Sequence, residues 1–253
     1  MTSRRRHSQP IHSTRTWGLV GAVVILILAV ALSVNLLTET QRPVDLLINF
    51  QQYHYGAVPE EFDYDATGSN GPVLAAGRPF WRIYQDRNAP SPEFVLIQAA
   101  SLAEADHYPI ALLQNVQAKD VILSVYLKPM GGTMDKSEGL VWRVQDKNNY
   151  VAVLASALDN QLHLLKMMNG QMQEIASAPI QIAVPFEQQA SISTWGWYTL
   201  KVETQGSGIT VWFQGEKKIE AADKTFLRSG RVGLITHADS IALFDDLAVK
   251  AGK

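Results

Sequence analysis

The chain has 253 residues, of which 47% are hydrophobic and 18% are charged, so it can bury a sizeable core and is not disordered by composition. It contains no cysteine, which excludes disulfides, zinc–thiolate sites, lipoprotein acylation and a cysteine nucleophile. Four of its 22 Lys and Arg residues precede residue 39, so the remainder carries 18 basic against 24 acidic residues and has no electrostatic reason to bind nucleic acid.

The first predicted element is an uncharged apolar segment, Trp17–Leu37, which reads WGLVGAVVILILAVALSVNLL. As a helix this segment would span roughly 30 Å, the thickness of a hydrocarbon core. Four Arg residues precede it. The positive-inside rule therefore predicts that residues 1–16 are a basic cytoplasmic N-terminus and that a transmembrane helix over 17–38 anchors the chain in a bacterial inner membrane. The remainder is then expected in the periplasm or outside the cell.

A cleaved signal peptide is the alternative interpretation of this segment, because AVA at 29–31 fits a small-x-small cleavage site after an apolar run. The apolar stretch continues past that site to Leu37, which favours an uncleaved signal anchor. In such an anchor, Gly18 with Gly21 or Ala22 offers a face on which a neighbouring helix can approach closely.

Residues 39–61 are predicted to form a juxtamembrane linker. Pro43 suits the first turn of a helix, and the apolar side chains of residues 43–54 fall at helical spacing on one side. This spacing predicts a short helix on the outer membrane face or against a partner subunit, with contacts through Leu46, Leu47, Phe50 and Tyr53. A linker with some helical bias explains the same pattern equally well.

Residues 62–253 alternate short apolar runs with turn residues, which predicts an all-β domain. The strongest hairpin signal is Asn169-Gly170 between Gln161–Met168 and Gln171–Ala176, because both turn residues accept positive φ. So many short strands joined by such turns predict a two-sheet antiparallel jelly-roll sandwich. The other predicted strands are Val73–Ala75, Phe80–Tyr84, Phe94–Ala99, Val121–Lys128, Gly139–Gln145, Tyr150–Ala157, Trp197–Glu203, Ile209–Gln214, Lys217–Ala221, Arg231–Thr236 and Ser240–Val249.

Five blocks of this region carry a family resemblance. They read FWRIYQDRNAPSPEFVLIQAA, VILSVYLKPMGG, GLVWRVQDKNNYVAVLASALDNQLHLLK, WYTLKVE and FLRSGRVGLITHADSIALFDDLAV. Over about residues 62–250 their order resembles the concanavalin A-like jelly-roll group known as 3-keto-disaccharide hydrolases, or domain of unknown function 1080. The resemblance implies a jelly-roll fold and, through the family label, a hydrolase acting on 3-keto-glycosides.

Metal and catalytic motifs are sparse. Similar sandwiches often hold a structural calcium with an Asp of the last strand, which points to Asp245 and Asp246 in FDDL; no other cofactor is expected. Glucanases on this fold commonly use Glu-x-Asp-x-x-Glu, but Glu61-Phe-Asp63 is followed by Ala66 where the third acid should fall. No G-x-S-x-G turn occurs, so neither motif supports catalysis.

A binding surface is the more natural prediction. Alternation places Trp142 in the core and directs Arg143 outward, and it leaves Trp212 on the outer face of its strand. Together with Tyr150 and His163, Arg143 and Trp212 are the predicted ligand contacts, since sugar sites combine aromatic rings with planar polar groups.

The main functional hypothesis is a non-catalytic, membrane-anchored domain with no catalytic residues. It would serve as an accessory subunit docking on a larger membrane complex or as a domain that holds envelope glycan. A hydrolase acting on 3-keto-glycosides and a carbohydrate-binding module are the two alternatives.

Overall fold

The computed structural model describes residues 44–68, 80–99, 105–182 and 196–251. Within these ranges the chain forms fifteen strands, and no helix there is long and apolar enough to cross a bilayer. The predicted membrane helix over 17–38, with Gly18, Gly21 and Ala22, lies outside the described residues. The predicted strand Val73–Ala75 does too.

The strands form two antiparallel sheets, which confirms the predicted all-β sandwich. The eight-stranded sheet has the order β13-β12-β11-β6-β15-β4-β3, and β1 pairs with the second half of β15. Its strands are β1 (Val44–Ile48), β3 (Trp81–Gln85), β4 (Phe94–Gln98), β6 (Val121–Gly131), β11 (Tyr198–Gln205), β12 (Gly208–Phe213), β13 (Glu216–Ala222) and β15 (Ile241–Ala251).

The seven-stranded sheet has the order β10-β9-β8-β7-β14-β5-β2. The turn at Asn169-Gly170 joins β9 to β10 as predicted, and both residues adopt positive φ. Its strands are β2 (Phe62–Thr67), β5 (Tyr108–Ala118), β7 (Ser137–Asp146), β8 (Asn149–Ser156), β9 (Gln161–Met168), β10 (Gln171–Pro179) and β14 (Gly230–Thr236).

The main core lies between the two sheets and is built by period-two alternation along the strands. Trp81 and Phe244 fill it from the eight-stranded sheet with ring centroids 5.6 Å apart, and Trp142 fills it from the other sheet. Trp142 is fully buried, which confirms its predicted place in the core. Residues of opposite parity point away from this core, so each sheet presents an outer face.

The helix predicted within 43–54 is wrong, because residues 44–48 form β1. Leu46 and Ile48 face the core, whereas Leu47 is 61% exposed, so the side chains follow strand alternation. β4 pairs only with Ala242, Leu243 and Phe244 of β15, and β1 pairs with the second half of the strand.

The predicted membrane or partner contacts in this segment are therefore corrected. Phe50 is fully buried, and Tyr53 packs on the core and donates a hydrogen bond to Glu61. Leu46 and Tyr53 are partly buried against the core, and Leu47 is the one of the four that is largely exposed. The sandwich thus includes residues 44–61, which the sequence assigned to a linker.

Candidate functional site

The four predicted ligand contacts do not form one site. Trp212 lies on the outer face of the eight-stranded sheet, half-buried, with Lys201 Nζ 4.3 Å from its ring centroid. Arg143, Tyr150 and His163 belong to the seven-stranded sheet. Because the outer faces of a sandwich point in opposite directions, one small ligand cannot contact Trp212 and the others together.

Arg143 is the clearest correction, since it is 1% exposed instead of pointing to solvent. The register of β7 shifts between Trp142 and Asp146, and Arg143 adopts φ 52°, so alternation breaks at this residue. Its guanidinium donates hydrogen bonds to the carbonyl oxygens of Lys119 (2.8 Å), Phe226 (3.0 Å) and Gly206 (2.6 Å). Arg143 therefore ties together the loops at one end of the sandwich.

Tyr150 is also inaccessible, although it lies on the outer face of its sheet. It belongs to a second apolar cluster on that face and is fully buried. Its hydroxyl lies 3.0 Å from Thr67 Oγ1, and burial raises its pKa, so it stays a neutral phenol. Tyr150 is a structural residue and not a ligand contact.

His163 remains accessible and borders a cleft of about 300 Å³ on the outer face of the seven-stranded sheet. Its two ring nitrogens lie 2.9 Å from Asp159 Oδ2 and 2.9 Å from Glu174 Oε2. Burial alone would lower the pKa of His163, but these two acceptors outweigh burial and raise it. The polar groups of His163 are thus already occupied by its neighbours.

His237 borders the same cleft in a similar arrangement. Its Nδ1 contacts Asp135, and its Nε2 lies 2.7 Å from the carbonyl oxygen of Ala105. Its ring stacks on Tyr108 with centroids 4.4 Å apart. Burial lowers the pKa of His237, but the contacts to Asp135 and Ala105 raise it by more. We call this pocket the histidine cleft, and both of its histidines are already hydrogen-bonded to neighbouring protein groups. Its apolar lining includes Leu154, Leu165 and Met172.

Asp245 and Asp246, the predicted calcium ligands, hold a loop. The backbone N–H of Ser91 donates to Asp245 Oδ2 (2.8 Å), and the Ser91 hydroxyl donates to Asp246 Oδ1 (2.8 Å). Burial raises the pKa of Asp245 to about 7; the Ser91 N–H opposes this rise, and the negative charges of Asp246 and Asp86 add to it. No group of three potential metal-binding side chains occurs in the described ranges, and the calcium site stays a prediction.

The loop over residues 86–93 is fixed on the outer face of the eight-stranded sheet at several further points. Asp86 Oδ2 accepts a hydrogen bond from Lys128 Nζ at 2.8 Å, in an ion pair that is 9% and 1% exposed. Ala89 packs in an apolar cluster on this face. Gln51 Nε2 donates to the carbonyl oxygens of Ser91 (2.8 Å) and Phe94 (2.9 Å). These contacts hold the loop in one conformation on the sheet, so it is preorganised.

This clamped loop forms one wall of a cavity of about 380 Å³, which we call the loop pocket. A volume of this size falls at the lower end of the range, roughly 300–1,000 Å³, for small-molecule sites. The lining residues are Tyr84, Gln85, Asp86, Arg87, Asn88, Lys128, Met130 and Leu243.

The loop pocket differs from the histidine cleft because several of its polar groups have unused hydrogen-bonding capacity. Lys128 Nζ carries three N–H groups, and Asp86 is its one hydrogen-bond acceptor within the described part of the chain. The side chains of Arg87 and Asn88 are exposed and make no hydrogen bond to any described residue. A ligand rich in oxygen atoms would satisfy these donors.

Aromatic rings border the loop pocket and continue across the same outer face. Tyr84 lines the pocket, and its ring centroid is 6.1 Å from that of Tyr55, which is 60% exposed. Trp197 lies beside Lys128, with Nζ 5.9 Å from the ring centroid. Tyr126 on β6 and Trp212 on β12 belong to this face too. Such rings can pack against the apolar face of a sugar.

Signals for the loop pocket in the amino-acid sequence are weak. Polar residues of the run QDRNAPSPE between two strands suggest a loop, and strand alternation sets Lys128 opposite the core residue Leu127. What makes a site is the packing of that loop over Lys128, a contact between residues 42 positions apart. No local pattern predicts such a contact.

No family model matches this chain, and no curated protein matches it significantly. Solved structures do match. The carbohydrate binding module CBM66 from Bacillus subtilis aligns over 76% of this chain and 98% of its own, with a TM-score of 0.54 and 16% identity. Domain 4 of AbnA, a GH43 extracellular arabinanase from Geobacillus stearothermophilus, in complex with arabinotriose, aligns over 82% and 93%, with a TM-score of 0.48 and 12% identity.

A protein of unknown function with a galectin-like fold from Bacillus subtilis also aligns, over 81% of this chain and 98% of its own, with a TM-score of 0.47 and 12% identity. At such low identities these similarities concern the fold alone, which is a two-sheet antiparallel β-sandwich. The finer resemblance to the domain of unknown function 1080 group stays a prediction.

Proposed function

We propose that this domain is a non-catalytic carbohydrate-binding module and that the loop pocket holds the sugar. The observation that carries the proposal is the Tyr84 ring beside donors of Lys128, Arg87 and Asn88 that have no acceptor among the described residues. Sugars offer an apolar ring face and several hydroxyls, so one wall of each kind is the complementary surface.

The rigidity of the loop supports binding. Sugars are weakly bound because their hydroxyls must leave water, so a site that is already ordered loses less free energy on binding. Asp86, Ser91 and Gln51 fix the loop before any ligand arrives. The similarity in fold to the carbohydrate binding module from Bacillus subtilis agrees with this proposal.

Two further rings extend the surface. Tyr126 is 36% exposed, and Trp212 lies two strands from β6, or about 10 Å at the usual strand spacing. An oligosaccharide anchored in the loop pocket would cross Tyr126 and reach toward Trp212. Long saccharides should therefore bind more tightly than short ones.

The predicted membrane anchor would place the carbohydrate-binding domain close to the outer surface of the inner membrane. A domain tethered near the outer surface of the inner membrane meets envelope glycan at a high effective concentration, so modest affinity suffices. Docking on a larger membrane complex remains the other hypothesis for the anchored chain.

The hydrolase alternative, acting on 3-keto-glycosides, needs two carboxylates free to act across the scissile bond. Asp86, the one carboxylate that lines the loop pocket, is paired with Lys128, and the neighbouring Asp245 accepts a hydrogen bond from the Ser91 N–H. The geometry therefore favours binding over hydrolysis as the function of this pocket.

A glycan array probed with the full chain in mild detergent tests the proposal, followed by calorimetric titration of the strongest ligand. Tyr84→Leu keeps an apolar side chain but removes the ring, and we expect it to weaken binding about tenfold or more, in line with the loss of a stacking contact and a hydroxyl. His163→Gln, in the histidine cleft, is the control and should leave affinity unchanged. A loss of affinity in His163→Gln with none in Tyr84→Leu would refute the assignment of the site.

A further inference from the structure

We infer that the saccharide held by the loop pocket is acidic and that its carboxylate binds between Arg87 and Lys128. This inference rests on the proposed function and names the class of ligand. It would place saccharides that contain uronic acids ahead of neutral ones as ligands of this domain.

The charges that line the loop pocket are the first argument. Two cations, Arg87 and Lys128, face one carboxylate, that of Asp86. The other lining side chains are neutral, so the lining carries one excess positive charge. The chain beyond residue 38 is acidic overall, with 18 basic against 24 acidic residues, so this excess runs against its surroundings. A single ligand carboxylate would balance it.

The hydrogen-bond donors are the second argument. Lys128 is 1% exposed, yet Asp86 supplies the one acceptor that it has among the described residues. Two N–H groups of this buried ammonium have no acceptor among the described residues, and leaving such donors desolvated and unpaired costs free energy. Carboxylate oxygens accept stronger hydrogen bonds from cations than sugar hydroxyls do.

Arg87 adds directional specificity. Its guanidinium makes no ion pair or hydrogen bond with the described residues, and a planar guanidinium can bind a carboxylate through two parallel hydrogen bonds. Arg82, on the adjacent strand β3, also lacks a carboxylate partner in this part of the chain and adds positive potential.

The other nearby acidic groups lie outside the lining of the loop pocket. Glu93 is in contact with the Gln85 side chain, and Asp246 accepts the Ser91 hydroxyl. Asp245 accepts the Ser91 N–H and has its pKa raised to about 7, so at mildly acidic pH it is largely uncharged. None of these three carboxylates lines the loop pocket.

The test uses the full chain in mild detergent and a panel of uronic acid oligosaccharides, each paired with its carboxyl-reduced neutral counterpart. Calorimetric titration should give at least about tenfold higher affinity for the acidic member of a pair, because one charge-assisted bidentate contact is lost on reduction. Arg87→Gln should remove most of that preference. Arg228→Gln, a matched change at another exposed arginine without a partner among the described residues, should retain it.

The outcomes separate this inference from the proposed function. Equal affinity for both members of each pair, unaltered by Arg87→Gln, would overturn the acidic-ligand inference and leave a neutral-sugar module. If no saccharide of either kind binds, both fail. Thermal melts of each variant establish that a lost preference does not reflect unfolding.

Discussion

At the residue scale, Arg143 shows how a single break in strand alternation changes a side chain from solvent contact to structural support. Alternation from Leu140 and Trp142 directs Arg143 outward, but its positive φ turns it toward three backbone carbonyl groups. Arg143 therefore stabilises the fold and does not contact a ligand.

Arg143→Gln should therefore lower the free energy of unfolding by about 3 kcal/mol, because the carbonyls of Lys119, Gly206 and Phe226 lose their charged donor. Arg228→Gln, on the exposed surface, should change stability by less than about 0.5 kcal/mol. Urea denaturation followed by circular dichroism measures both. Equal stability of the two variants would contradict the structural role of Arg143.

Glu138 is the second residue with a measurable consequence. It is fully buried on the core side of β7, across from Thr236, and neither carboxyl oxygen has a hydrogen-bond partner in the described part of the chain. Burial, followed by the negative charge of Asp135, raises its pKa well above the ordinary 4.5. Burial in the folded chain therefore favours the neutral, protonated form of Glu138.

The unfolded chain releases this proton near pH 4.5, whereas the folded chain retains it to higher pH. Stability contributed by the neutral acid is complete below that pH and falls as the pH rises, by about 1.4 kcal/mol for each pH unit until the folded pKa is reached. Glu138→Gln should remove this loss, so its melting temperature should exceed that of the unsubstituted chain by a margin that grows as the pH rises above 5 toward the folded pKa of Glu138. A difference in melting temperature that does not change with pH above 5 would contradict the raised pKa of Glu138.

At the element scale, β1 is the strand on which sequence and structure differ most. It covers the edge of β15, and the residues that follow it supply the buried Phe50 and the Gln51 side chain that holds the 86–93 loop. The domain is therefore complete only when the chain begins before residue 44.

A chain that begins at residue 60 should be markedly less stable than one that begins at residue 42. Loss of Phe50 alone removes about 2–3 kcal/mol of apolar burial, and Leu247 and Val249 lose their cover on one edge. Thermal denaturation of the two fragments measures the difference. Similar melting temperatures would show that β1 is dispensable.

The elements that the sequence predicts well are those with alternation and clear turns. The hairpin Gln161–Met168 and Gln171–Pro179 is an example, with Asn169-Gly170 as its turn. β5 shows the opposite case. Its residues Tyr108–Leu113 are buried on both faces, so no period of two marks it. The pattern at β1 wrongly predicts a helix because Leu46, Phe50 and Tyr53 fit helical spacing as well as they fit a strand followed by a turn.

At the scale of the whole molecule, the sandwich divides its two outer faces between different roles. The face of the seven-stranded sheet is largely apolar and pairs its charges internally, as at His163 and His237. The face of the eight-stranded sheet carries the clamped loop, open donors and a series of rings. The loop pocket was beyond sequence analysis because Asp86–Lys128 and Ser91–Asp245 join distant parts of the chain.

A structure of the complex with the tightest-binding saccharide tests the central claim most directly. We predict a sugar ring against Tyr84, with its oxygens within hydrogen-bonding distance of Lys128 Nζ and of the Arg87 or Asn88 side chain. A sugar seated instead in the histidine cleft, beside His163 and Tyr108 on the opposite outer face, would contradict the account.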